Sequence, residues 1–257
     1  MRYGWLALNY LSMADQPFYL GDSPERGIIY VRESKTKMFC RIISDDYDYI
    51  AECVKIFGDD RFSLQIYVAD NIDKVTSELV ARGISRSVEH YLCRKVYTGE
   101  PFSIDMPDGI RIRELDKEDV EDVCRICGQT GINKSRFKSL FLESFDEKKE
   151  SSDKYGRWLF NGIYHNDEMI GFDTDAFFSV RGFSVNNGIQ TFLPVKYRKD
   201  EIFMLSLKFM TNRILELGGI PTYVSGAIKS DVKGEFDPKD IGFRNIWNVY
   251  EIFKATD

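Results

Sequence analysis

The residues best placed to do chemistry lie in the stretch Gly188 to Leu217, which begins Gly-Ile-Gln-Thr-Phe-Leu-Pro-Val-Lys-Tyr-Arg-Lys-Asp-Glu-Ile-Phe-Met-Leu. The pattern is an apolar strand, a short polar loop and a long helix. A strand that hands over to a helix N-terminus leaves backbone N–H groups unpaired at the positive end of the helix dipole, which makes an anion site. Arg198 and Lys199 place two cations at that junction, and Asp200 and Glu201 follow as acids suited to a first helical turn. Upstream, Asp173 and Asp175 fall on one side of a strand, opposite Thr174 and Ala176. Carboxylates on a central strand are costly unless paired or solvated, so this pair is a candidate for holding an amine.

Other residue types point away from chemistry. Cys124-Arg-Ile-Cys127 has redox or metal spacing, but no second ligand pair accompanies it and the chain has only two histidines. Val120, Val123, Cys124 and Cys127 fall at i, i+3, i+4 and i+7, so the cysteines are expected in a helix core and no metal site is expected. His90 and His165 are given no role, one reading as a strand residue and the other as a turn residue.

The elements that must position these groups are set by size and pattern. A chain of 257 residues suits two compact units or one large one, and a hydrophobic fraction of 43% with 19 Phe and 14 Tyr is ample for a core. A charged fraction of 30% and the lack of any long apolar run argue against a membrane protein. A net charge of −6 argues against a nucleic-acid partner. Five cysteines, an odd number, do not form a disulfide framework, and no secretory signal is legible, so the cytoplasm is the expected compartment.

Thr98 to Gly109, with two Pro and two Gly, is the boundary candidate. Before it, strands are expected at 27–31, 37–43 and 62–68, with helices over 45–57 and from Asn71 to a stop at Gly83. After it come a strand at Ile110–Arg113, a helix opened by Asp116 and Asp119, and a short helix around 137–145. A hairpin around His165–Glu168 follows, then a strand at 188–195, the long helix, a strand at 221–225 and β pattern from Gly242. Gly83 to Lys95 also echoes Gly242 to Lys254, with Gly83/Gly242, Tyr91/Tyr250 and Lys95/Lys254 identical. The alternation gives a mixed α/β class.

This element order, with Tyr197-Arg198 at the head of the loop, resembles the GCN5-related N-acetyltransferase (GNAT) superfamily. Its members bind the pyrophosphate of acetyl-CoA with an Arg-x-x-Gly-x-Gly/Ala loop, and here Glu201 and Phe203 stand where the glycines fall. The resemblance implies a tandem arrangement: a truncated GNAT-like half over 1–98, a linker over 99–108 and a fuller acetyltransferase-like domain over 109–257. It implies acetyl-CoA as acyl donor, running beside a splayed strand at Phe192, Leu193 and Val195. Its phosphates would lie near Arg198, Lys199, Asp200, Glu201, Ile202 and Phe203, and Asp231 matches in spacing an asparagine of the family. Pro194, which lacks an N–H, suits a local break in pairing. The superfamily's usual acid, a tyrosine four residues before a Gly-Phe, is Pro238 in this chain, which makes Tyr223 the candidate acid, with Asp175 as a second catalytic candidate.

Arg82-Gly-Ile84 and Ser135-Arg136-Phe137 resemble the dTDP-fucosamine acetyltransferase family, which N-acetylates a 4-amino sugar on a nucleotide carrier. That likeness places Ser135, Arg136 and Phe137, with Asp173, on the acceptor side. The expected activity is acyl-CoA-dependent transfer to the amino group of a small molecule, of which a nucleotide-linked amino sugar is one class. Two alternatives stand beside it. One is a non-catalytic GNAT-fold binding module, which the missing glycines and tyrosine favour. The other is a Fem-like aminoacyl transferase, which the acidic charge disfavours because it needs aminoacyl-tRNA.

Overall fold

The structure is a computed structural model that describes residues 25–33, 38–59, 61–145, 157–180, 183–186, 188–197, 200–226 and 237–254. It divides into two compact units, one of Met1–Lys95 with Ser225–Ser230 and Asn245–Asp257, the other of Val96–Val224 with Asp231–Arg244.

In the first unit, β1 (Ile28–Glu33) runs antiparallel to β2 (Met38–Ile43), and β2 runs parallel to β3 (Phe62–Val68). The chain's last strand, numbered β11 (Arg244–Lys254) in chain order, lies between β3 and β4 (Arg86–Val96), pairing antiparallel with β3. Thus residues 245–254 pack with strands drawn from the first hundred residues. Helix α1 (Tyr47–Phe57) links β2 to β3, and α2 (Ile72–Ala81) links β3 to β4. Both helices begin where a side chain can take up orphaned amides. Asp46 Oδ1 accepts from the N–H groups of Asp48 and Tyr49, and Asn71 Oδ1 from that of Lys74. Arg26, 2.8 Å from Asp46, holds that carboxyl below the usual range. The helices bury Tyr49, Ile50, Val54, Val75 and Leu79 against Ile42, Leu64, Ile66 and Tyr250. Alternate residues such as Tyr67 and Val249 join Trp247 in a separate cluster, as strand periodicity requires.

Gly83 and Gly242 are both left-handed, with φ of +76° and +92°, and each precedes a strand. The echo stops at the backbone. Tyr91 is exposed, whereas Tyr250 is a buried core residue.

The second unit is built on the antiparallel order β5 (Ile110–Glu114), β6 (Arg157–His165), β7 (Glu168–Val180) and β8 (Phe183–Asn186). The β6–β7 turn places Asn166 and Asp167 at positive φ, as a two-residue hairpin with the right twist demands. The thirteen-residue β7 is shared: its end pairs with β8 and its middle with β9 (Gln190–Phe192). A capping box of Asp116 and Asp119 opens the turn into α3 (Val120–Thr130), and Arg113 locks Asp119 at 2.7 Å. Together α3 and α4 (Lys134–Glu143) cover one sheet face, with Val123, Ile126, Cys127 and Phe141 against Phe160 and Phe172. Cys124 and Cys127 are thus core residues, and burial pushes the Cys127 thiol up to about 11. Helix α5 (Asp200–Glu216) covers the other face, burying Leu207, Met210 and Ile214 with Leu159 and Ile189, and Ile202 and Leu205 with Ile163 and Leu193. The segment before β5 is fastened to α5 by Asn212, whose side chain accepts from the Phe102 N–H at 2.7 Å and donates to the Phe102 carbonyl at 2.8 Å. No helix among the described residues is long and apolar enough to cross a membrane.

Candidate active site

Strand β10 (Thr222–Gly226) follows α5 and runs parallel to the segment that opens β9. The two touch at one bridge only, Ile189 with Tyr223, where the Ile189 N–H donates to the Thr222 carbonyl at 2.7 Å. Beyond it, β9 pairs with β7 on its other side, through Phe172↔Phe192, Asp173↔Thr191 and Thr174↔Gln190, and no further pairing joins it to β10 among the described residues. Two parallel neighbours that meet at a point and then part make a wedge lined by backbone amides and carbonyls, a natural bed for an extended polar chain. The parallel pair β2/β3 of the first unit shows the contrast, since it is closed over six residue pairs from Met38↔Phe62 to Ile43↔Tyr67.

The apex of the wedge is Gly188, at φ +124°, where a Cβ would come within 2.4 Å of Val224 Cγ2. Any other residue type would be strained at that φ and would press on the Val224 side chain. Asp175, only 1% exposed, accepts the Gly188 N–H at 2.9 Å. Expected to meet an amine, it instead holds the backbone at the apex. Asp173, on the same strand face, is 0% exposed beneath α5 and accepts from the Ser206 hydroxyl. Its other oxygen has no hydrogen-bond partner among the described residues, and Thr191 across the β7–β9 pair eases its charge without completing such a bond. Burial outweighs these neighbours and pushes the carboxyl up to about 6. Asp173 faces the core and not an acceptor.

Tyr223 flanks the bridge half-buried, its ring edge-on to Phe203 at 6.1 Å and to Phe243 at 6.3 Å. Phe192 turns to the opposite face, against Phe172 and against Phe137 of α4, whose ring is 5.0 Å away. Ser135 and Arg136 lie on the exposed side of α4. Leu193 and Ile202 belong to the core, so their side chains are not available to a ligand, whereas Val195 is 72% exposed. Regular strand ends at Phe192; buried Pro194 then accepts from the Tyr197 N–H, closing a 3-10 turn over Val195–Tyr197. Glu201 is exposed in the first turn of α5, and Phe203 packs toward Tyr223. Arg198, Lys199 and Asp231 fall outside the described residues, as does the side chain of Asp200. Sequence reasoning overlooked Lys196, an exposed ammonium that rests on the Tyr197 ring at 4.4 Å just before α5. Its signal was its place next to the Arg198-Lys199 pair.

No protein-family model matches the chain, and no curated protein matches it in sequence. Solved structures do. A GCN5-related N-acetyltransferase from Kribbella flavida is 9% identical, with 99% of this chain and 94% of that one covered, at a TM-score of 0.61. A GCN5-related N-acetyltransferase from Sphaerobacter thermophilus is 12% identical over 88% of this chain and 75% of that one, with a TM-score of 0.58. A tandem GNAT protein from the clavulanic acid biosynthesis pathway is 11% identical over 90% and 80%, with a TM-score of 0.53. The chain has the GNAT fold, a mixed α/β architecture that one of these neighbours carries in tandem.

Proposed function

We propose that the chain is an acyl-CoA-dependent N-acyltransferase acting on the amino group of a small molecule, with the wedge between β9 and β10 as its donor cleft. The observation that carries this reading is the single Ile189–Tyr223 bridge, after which the two parallel strands part. An extended pantetheine arm suits such a cleft because backbone groups of 190–192 that face away from β7 would meet its amides. Acetyl-CoA, when bound, supplies the acyl group as a thioester. Lys196, with Arg198 and Lys199, would hold phosphate at the N-terminus of α5. Gly188 and Asp175 keep the apex in place, and the Tyr223 hydroxyl is the group assigned to protonate the departing thiolate. Phe137 and Phe192 mark the acceptor side, where a nucleotide-linked amino sugar is the acceptor class that the Ser135–Phe137 resemblance implies.

One observation favours a second reading, a non-catalytic binding module. The first turn of α5 presents the exposed carboxylate of Glu201 and the ring of Phe203 where a phosphate loop needs bare backbone. Calorimetry with acetyl-CoA, followed by turnover assays on amino-sugar nucleotides, separates the two. Binding that weakens by roughly 1–3 kcal/mol when Arg198 and Lys199 are both changed to Ala supports the donor cleft. Binding without turnover supports the module, and the absence of acetyl-CoA binding refutes the transferase.

A further inference from the structure

A second chemical constellation lies in the first unit. Four of the five cysteines, Cys40, Cys53, Cys124 and Cys127, are buried, and Cys93 is the exception. Burial pushes the thiols of Cys40, Cys53 and Cys127 upward, toward the unreactive neutral form. Cys93 Sγ instead lies 3.2 Å from His90 Nε2 and 3.1 Å from Asn248 Oδ1. His90 and Cys93 are three residues apart on β4, and a regular strand would turn them to opposite faces. Their meeting requires β4 to lose its alternation between them, a local irregularity that strands show beside functional sites.

The partners of the thiol are themselves held. The Asn248 amide donates to the carbonyls of Asp70 (3.0 Å) and Ala69 (3.4 Å), which fixes its oxygen toward the sulfur. The Tyr250 hydroxyl donates to the Asp70 carbonyl at 2.9 Å, and its ring stands edge-on to His90 at 5.5 Å. Burial holds the imidazole below its usual range, which favours its neutral form. Among the described residues this corner also holds Asp73, Tyr250, pushed up to about 12 by burial, and Asp70, whose carboxylate is engaged by Lys74 and Tyr47 at 3.0 Å each.

We propose that Cys93 and His90 form a nucleophilic thiol site that takes up soft electrophiles, specifically low-molecular-weight disulfides. With its own proton on Nδ1, His90 presents Nε2 as an acceptor. The thiol hydrogen then lies between two acceptors at nearly equal distance and passes from the amide oxygen to Nε2 by rotation about the Cβ–Sγ bond. The sulfur attacks one sulfur of the disulfide, a new S–S bond forms and the old one breaks. The proton on His90 neutralises the departing thiolate. The products are a mixed disulfide on Cys93 and one free thiol, and the external disulfide is the only oxidant consumed.

The test is the reaction of the full, reduced, native chain with dithiobis-nitrobenzoate, read by release of the coloured thiol and by peptide mapping. One thiol is expected to react in a fast phase that maps to Cys93 and vanishes in Cys93→Ser. At neutral pH that phase should outrun free glutathione by about tenfold or more, and His90→Gln should slow it by about the same factor without shifting the thermal midpoint. The wild-type comparison with glutathione stands even if the His90 variant fails to fold. A missing fast phase, a fast phase mapped to another cysteine, or a rate no greater than that of glutathione would overturn the proposal. So would a folded His90→Gln variant that reacts as fast as the wild type.

Discussion

Replacing Asp173 by Asn should stabilise the protein, and by an amount that depends on pH. The carboxyl is fully buried, has one hydrogen-bond donor in Ser206, and is pushed up to about 6 from its ordinary 3.8. A carboxyl whose folded pKa lies above its unfolded value binds its proton more tightly in the folded state. Its charge therefore opposes folding above the folded pKa, and the penalty fades as pH falls through 6 toward 3.8. A rise of about two units corresponds to about 3 kcal/mol at pH 8, at ~1.4 kcal/mol per unit. Asparagine keeps the shape and an acceptor for Ser206, and its amide can face Thr191 across the strands. Urea unfolding of the wild type and of Asp173→Asn at acidic, neutral and alkaline pH should give a stability difference near zero around pH 4. It should rise to about 2–3 kcal/mol in favour of the variant by pH 8. A difference that stays flat with pH, or a variant less stable at pH 8, would show that Asp173 carries no burial penalty.

Other expectations follow from single positions. Gly188→Ala, at φ +124° and with Val224 in the way, should cost roughly 1–3 kcal/mol in denaturant unfolding and weaken any ligand of the wedge; a loss below about 0.5 kcal/mol contradicts the strained apex. Asn212→Ala removes both bonds to Phe102, so limited proteolysis between Tyr97 and Pro107 should accelerate while the core melts within a few degrees of the wild type. Phe141→Ala, at a fully buried ring packed on Phe160, should cost about 3–5 kcal/mol, measured by urea midpoint. If acyl transfer is observed, Tyr223→Phe should remove most of the rate and leave acetyl-CoA affinity intact, because only the hydroxyl is lost; an unchanged rate relocates the acid.

What the sequence made legible was local. The helix start at Asn71, its stop at Gly83, the Asp116/Asp119 box and the His165–Glu168 turn are each decided by a few neighbouring residues, and each stands in the structure where its pattern put it. Strand β9 is shorter than its apolar run, because Pro194 cannot donate to a ladder and the chain turns into a 3-10 turn at Val195. Pairings made at long range left no local signal. The insertion of β11 between β3 and β4 and the seating of Asp173 under Ser206 each depend on a partner far away in sequence. The contact of His90 with Cys93 was hidden for a different reason: strand periodicity predicts opposite faces, and β4 departs from it there. For the candidate site, residue types marked the neighbourhood of the wedge, but the parting of β9 from β10 and the turning of Asp173 and Asp175 inward are properties of the folded sheet.

The proposed site for an acyl-CoA is the wedge between β9 and β10. The most direct measurement is photo-crosslinking of the full chain with a CoA thioester carrying a photoreactive acyl group, mapped by mass spectrometry with unlabelled acetyl-CoA as competitor. Competable labelling confined to residues of 190–195 and 222–224 is expected. Labelling elsewhere, or labelling that acetyl-CoA does not suppress, would contradict it.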